Sequence, residues 1–201
     1  MFSSVQQGEA KMVKRIYALL EEADAVVHYN GKKFDIPKLN AEFIKFGFSP
    51  PATYKQIDLL SVARGQFRFA SNKLDFVAQH LGLGAKVQHK GMDLWAECMD
   101  GDPLAWKQME RYNKQDVRLL PRLYKKLLPW IVNHPNYALY VDTNRPVCMN
   151  CGSSHLQRRG TAKTPTQVYQ RYQCNSCGKW MRGKDMLLDK KKRASILSGA
   201  N

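Results

Sequence analysis

His28-Tyr-Asn-Gly-Lys-Lys-Phe-Asp35 (HYNGKKFD) closes one apolar run and opens a helix. The run before it, Asp24–Tyr29 (DAVVHY), is short and holds Val26 and Val27, the pattern of a buried strand. Asn30-Gly31 breaks it, and an acid, Asp35, stands where the next helix starts. Residues 36–46 (IPKLNAEFIKF) have helical spacing, with Pro37 at a tolerated early position. Gly47 closes that helix and Pro50-Pro51 bars its extension. Upstream, residues 9–23 (EAKMVKRIYALLEEA) place Met12, Ile16, Leu19 and Leu20 at helical spacing.

Working downstream, Tyr54–Ile57 leads to Asp58, which suits the N-cap of a helix LLSVARGQF. Ser71 is placed to cap another, NKLDFVAQHLG, ended by Gly82 and Gly84. Residues 102–128 hold the longest helical stretch, expected to break near Asn113 or at Pro121. Strands are few and alternate with helices, so the expected class is α/β. Pro129, Pro135 and Pro146 mark a loop-rich exit, which divides the chain into residues 1–140 and 141–201.

Within the long helical stretch, Tyr112-Asn-Lys-Gln-Asp116 puts Tyr112 and Asp116 on one face by i, i+4 spacing. Together with HYNGKKFD, this order resembles the DEDDy branch of the DnaQ-like 3′–5′ exonucleases, which have a ribonuclease H-like fold. Asn30, Phe34 and Asp35 match that family's second motif, and Tyr112 with Asp116 match its third. The resemblance continues through HYNGKKFDIPKLNAEF, the Asp58 turn, SNKLDF, Leu94-Trp95 and MERYNKQDVRLL, covering roughly residues 10–135.

Such a resemblance implies hydrolysis of phosphodiesters from single-stranded 3′ ends, DNA before RNA. It implies two divalent ions, Mg²⁺ or Mn²⁺, held by carboxylates across the scissile phosphate. Asp35, directly or through water, and Asp116 would be ligands, and Tyr112 would orient or deprotonate the attacking water. Asn30, Lys32 and Lys33 would face the nucleic acid. Each residue has a plainer alternative: Asp35 as a helix N-terminal acid, Tyr112 as a half-buried ring, Asp116 as an ion-pair partner, and the lysines as solvated cations. His28 fits a core histidine better than a ligand.

The family's first motif is Asp-x-Glu on the central strand. Only Asp100-Gly101-Asp102 places an acid two positions after an Asp, and it precedes Pro103 in a turn. The expectation is therefore an incomplete ribonuclease H-like exonuclease domain with its N-terminal strands absent. Such a chain would be a fragment, one half of a split enzyme whose second polypeptide supplies the strands, or a non-catalytic binder or replication and repair interaction module.

Cys148-Met-Asn-Cys151 and Cys174-Asn-Ser-Cys177 stand 22 residues apart, and each pair is followed by a glycine. Two CxxC turns supply the four thiolates that structural Zn²⁺ prefers. Gln167–Gln173 (QVYQRYQ) alternates like a strand between them. The expectation is a zinc ribbon within 141–201. Around it lie Arg158, Arg159, Lys163, Arg171, Lys179, Arg182 and Lys184, interleaved with Tyr169, Tyr172 and Trp180. Cations of this kind bind phosphates while rings stack on bases; the plainer use of a ring is the ribbon's small core. Cys98 has no CxxC partner and reads as a small core hydrophobe.

Charge points the same way. Thirty-two Lys and Arg face 17 Asp and Glu, a formal net charge of +15. Residues 1–141 hold 20 bases and 14 acids, so +6; residues 142–201 hold 12 and 3, so +9. Such a field attracts polyanions, and nucleic acid is the expected partner. No apolar run reaches the ~18–20 residues of a membrane span, and the N-terminus has no signal-peptide pattern. An intracellular, cytoplasmic protein is expected, with no membrane partner.

Overall fold

A computed structural model gives the structure of the chain and describes residues 8–84 and 91–199. The opening residues in which no signal peptide is read lie partly outside them. The chain divides into two compact units, the first ending at Leu127 and the second beginning at Leu128.

The first unit is mixed α/β. Helix α1 (Glu9–Glu21) leads to β1 (Ala25–His28), α2 (Asp35–Lys45) and β2 (Lys55–Asp58). Strands β1 and β2 pair in parallel, with Val27 opposite Ile57 and His28 opposite Asp58. Parallel strands need a crossover between them, and α2 supplies it. The apolar face of α1 meets α2 around Val13, Leu20 and Phe43. Tyr17 stands edge-on to Phe43 at 5.3 Å and stacks on Phe48 at 4.6 Å. Burying side chains of this size contributes about 1.5–3 kcal/mol each.

Helices α3 (Leu59–Gln66), α4 (Leu74–His80), α5 (Met92–Met99) and α6 (Pro103–Leu127) follow. Helix α6 differs from the expectation of a break: it runs 25 residues with Pro121 inside. Its apolar stripe of Ala105, Met109, Leu119, Leu123 and Leu127 is buried throughout, so packing outweighs the loss of one hydrogen bond at proline. Helix α6 packs against α5, α3 and β1. Leu94, Cys98, Ala105 and Met109 form the core between α5 and α6, where Cys98 acts as the expected small hydrophobe.

One expected cap moves. Ser71 does not cap α4; its Oγ accepts the Lys73 N–H in the turn before it, and α4 begins only at Leu74.

The second unit contains a three-stranded antiparallel sheet in the order β3 (Leu156–Lys163), β4 (Val168–Cys174) and β5 (Trp180–Met186), then a short helix α7 (Lys190–Ala194). Asp189 caps α7 through its carboxylate and the Lys192 N–H at 2.7 Å. Among the described residues, no helix is long and apolar enough to cross a membrane.

Candidate functional site

Strand β1 ends in a turn with an unusual backbone. Asn30 has φ of 69°, a conformation few non-glycine residues adopt. Asparagine tolerates it, and tertiary structure holds it there: Asn30 N–H donates to Asp58 Oδ1 at 2.9 Å. The same oxygen accepts the Leu60 N–H at 3.0 Å, the N-cap bond of α3 that the sequence predicts. One buried carboxylate thus ties the end of β1 to the start of α3. His28 turns inward beside it. Its Nδ1 accepts the Gly31 N–H at 3.1 Å and lies 3.8 Å from Asp58 Oδ2.

This turn opens onto a cavity of about 640 Å³. Asn30 and Tyr112 both line it, although 82 positions separate them in the chain. Arg64, Asn72 and Lys73 add polar and cationic groups to the same wall. Tyr29 donates its phenolic O–H to the Asn72 carbonyl at 2.7 Å, which fastens the α3–α4 connection to the turn. Burial pushes the Tyr29 phenol up to about 12, more than the nearby Arg64 cation lowers it. The Tyr112 ring is half-buried and also packs against the α5–α6 core, so its plainer role coexists with a place in the cavity.

The other expected residues lie elsewhere. Asp35 is exposed at the first position of α2, where its charge also complements the helix dipole. Asp116 is half-buried on α6, and neither it nor Asp35 lines the cavity. Lys32 and Lys33 are exposed in the turn after β1. Arg64 on α3 and Lys73 in the turn before α4 carry no shared motif in the sequence; for Lys73 the signal available was the SNKLDF segment itself.

In the second unit, the two CxxC turns repeat one geometry. Gly152 N–H donates to Cys148 O and Gly178 N–H to Cys174 O, each at 2.9 Å. Both glycines have positive φ, 73° and 83°, and a side chain at Gly152 would overlap the Tyr137 ring. The four sulfurs lie within 4.8 Å of one another. Cys148–Cys177 and Cys151–Cys174 are 3.5 and 3.6 Å apart. A tetrahedron with Zn–S near 2.3 Å has edges of about 3.8 Å, so the donor set and spacing fit zinc. Thiol chemistry agrees. Burial pushes Cys177 and Cys151 up. Burial also opposes Cys174, but N–H donors from Cys177 and Ser176 overcome it and bring this thiol down to about 7. Such a group collects its first negative charge readily and resists more, which a divalent cation resolves. Among the described residues this is the one converging group of three or more His, Cys, Asp or Glu donors.

One face of the ribbon sheet gathers rings and guanidinium groups. Cross-strand pairing sets Gln173 opposite Trp180 and Arg171 opposite Arg182. Arg171 lies 4.8 Å and Arg159 5.8 Å from the Trp180 ring centre, and Arg182 lies 4.0 Å from that of Tyr169. Ring contacts offset the repulsion of two arginines placed directly opposite. Arg158 pairs with Tyr172 at a register position on the other face. Lys179 points inward instead, its Nζ donating to Ile131 O at 2.8 Å, and burial lowers its pKa.

Comparison with known families settles the class of the first unit. A model of the RNase_H superfamily matches residues 1–128. The chain belongs to the RNase_H superfamily. No curated protein matches it. Membership gives the mixed α/β unit a nuclease-like fold, and the matched region takes in Asn30, Asp35, Tyr112 and Asp116 but ends before the four cysteines. For this RNase_H superfamily chain, carboxylate oxygens are suitable donors for a divalent ion. Asp35 and Asp116 offer two such side chains.

Proposed function

We propose that this chain is part of a metal-dependent 3′–5′ exonuclease of the DnaQ-like, DEDDy type, acting on single-stranded 3′ ends, DNA before RNA. The observation that carries the reading is the shared cavity of Asn30 and Tyr112, with Arg64 and Lys73 on its wall. A terminal nucleotide seated there would meet two cations for its phosphates and a phenol positioned to orient water. Asp35 and Asp116 would hold Mg²⁺ or Mn²⁺, which when bound makes hydroxide and stabilises the leaving oxygen. Asp58 would act by positioning Asn30. A two-metal site needs further carboxylates, and we assign these to an Asp-x-Glu strand outside this sequence, in the same or a second polypeptide. The zinc ribbon is assigned a nucleic-acid contact through Arg159, Arg171 and Arg182, with Arg158 on its other face; Lys32 and Lys33 would add charge beside the turn.

A second reading is favoured by the ring and guanidinium face of the ribbon: a non-catalytic nucleic-acid-binding or replication and repair module derived from such a nuclease. The test separates them. The chain alone, given a 5′-labelled single strand and Mg²⁺, is expected to release no mononucleotides. Co-expressed with the segment encoding an Asp-x-Glu strand, it is expected to shorten the strand stepwise from its 3′ end. Asp116→Asn and Tyr112→Phe should each abolish this. Release by the chain alone overturns the incomplete site, and no release by the combined proteins overturns the exonuclease.

A further inference from the structure

Helix α6 carries a second charged feature, on the side away from Tyr112 and Asp116. Lys107, Arg111, Lys114 and Arg118 follow at steps of four, three and four, and Arg122 and Lys125 continue the series. At about 100° per residue, all six fall within an arc of roughly 80°. Tyr112 and Asp116 stand roughly 120–160° around the helix from the centre of that arc, on the side that buries the apolar stripe. All six cations are exposed.

A merely solvated helix face usually mixes signs, because opposite charges at i, i+4 attract and like charges repel. Here like charges adjoin at every step. Glu110 is the acid beside them; its carboxylate takes the Lys114 Nζ at 2.6 Å, which holds its pKa down. A groove of about 940 Å³ runs along this face, lined by Lys107, Arg111, Lys114 and Arg118 with Gln108, Gln115, Leu104 and the Lys114-paired Glu110. Among the described residues, no aromatic side chain lines it. Single-stranded nucleic acid is usually held by cations together with stacking rings. Cations and amides without rings suit a phosphate backbone whose bases are already paired. The row is also long and straight in sequence register: 18 residues from Lys107 to Lys125 rise about 27 Å, the rise of about eight base pairs.

We propose that this face of α6 binds the phosphate backbone of double-helical nucleic acid, independently of sequence. The proposal rests on nucleic acid being the partner of the chain and not on its being an enzyme. It assigns a duplex contact separate from the cavity at Asn30 and from the ribbon.

Binding is measured on the full chain by fluorescence anisotropy with a short blunt duplex and with one of its strands, in chelator, so that catalysis plays no part. The variant replaces Lys107, Arg111, Lys114 and Arg118 by Gln. Each phosphate contact contributes about 0.9 to the slope of log K against log salt, so the variant should flatten the duplex slope by about 3–4 between about 50 and 200 mM salt. Its single-strand binding should change far less. An unchanged duplex slope overturns the proposal. Equal weakening for duplex and single strand overturns the duplex assignment. Loss of binding to phosphatidylserine vesicles with an unchanged duplex slope overturns it in favour of a membrane surface. Should the combined variant not fold, Arg111→Gln and Arg118→Gln measured singly are each expected to flatten the slope by about 0.9, and no change in either overturns the proposal.

Discussion

Asp58 Oδ1 accepts the backbone N–H of Asn30 at 2.9 Å, and this bond holds a left-handed residue at the mouth of the cavity. The same oxygen caps α3. Asp58→Ala removes the shared acceptor and leaves the Asn30 and Leu60 N–H groups without it. A lost cap costs about 0.5–2 kcal/mol and a lost buried acceptor about 1–3 kcal/mol. Urea unfolding should show a fall of about 2–4 kcal/mol with an unchanged m-value, and Asp58→Asn, which keeps an acceptor, should lose roughly half as much. Equal stability of Asp58→Ala and the natural protein would contradict this account.

Tyr29 ties the turn to the α3–α4 connection through its bond to Asn72 O. Its phenol is raised by burial to about 12 in the folded chain, against the ordinary 10 of an unfolded one. A raised pKa stabilises the protonated form. That contribution is fully present below pH 10 and is lost as pH rises from 10 through about 12. Stability measured across this window should fall in the natural protein and fall less in Tyr29→Phe. A parallel fall in both would sink the prediction.

The four thiols of the ribbon predict one bound zinc per chain, released by chelation. Cysteine must deprotonate to ligate, and the raised Cys151 and Cys177 hold their protons in the metal-free state. Zinc binding should therefore release about two or more protons near neutral pH. Affinity should fall as pH drops. Calorimetry in buffers of different ionisation enthalpy reads the number. Cys174→Ser should lose the metal and, with it, the ordered β3–β5 sheet seen by circular dichroism.

Trp180 is 46% exposed and lies beside two guanidinium groups, so its ring remains available to a base. Trp180→Ala should weaken binding of a single strand by about 1–3 kcal/mol while leaving the unfolding midpoint nearly unchanged. Weakened folding with unchanged binding would assign the ring to the ribbon core instead.

Local chemistry determined much of this protein from sequence alone. Two CxxC turns with following glycines mark the four-cysteine cluster, because the spacing that suits a tetrahedral metal is local to each turn. Asp58 as a cap and Asn30-Gly31 as a break are legible because each acts on backbone groups within two residues. The resemblance that pointed to a ribonuclease H-like fold was equally readable, and the superfamily match agrees with it.

What sequence did not determine depends on packing. Helix α6 continues through Pro121 because five buried apolar residues hold it on both sides of the ring. Lys179 resembles its basic neighbours in sequence, yet its ammonium turns inward to a carbonyl. The meeting of Asn30, Arg64, Lys73 and Tyr112 on one wall was likewise decided only by tertiary structure. A turn signal is carried by adjacent residues. A cavity is defined by surfaces brought together across the chain, and no local pattern records which side chains will face one another.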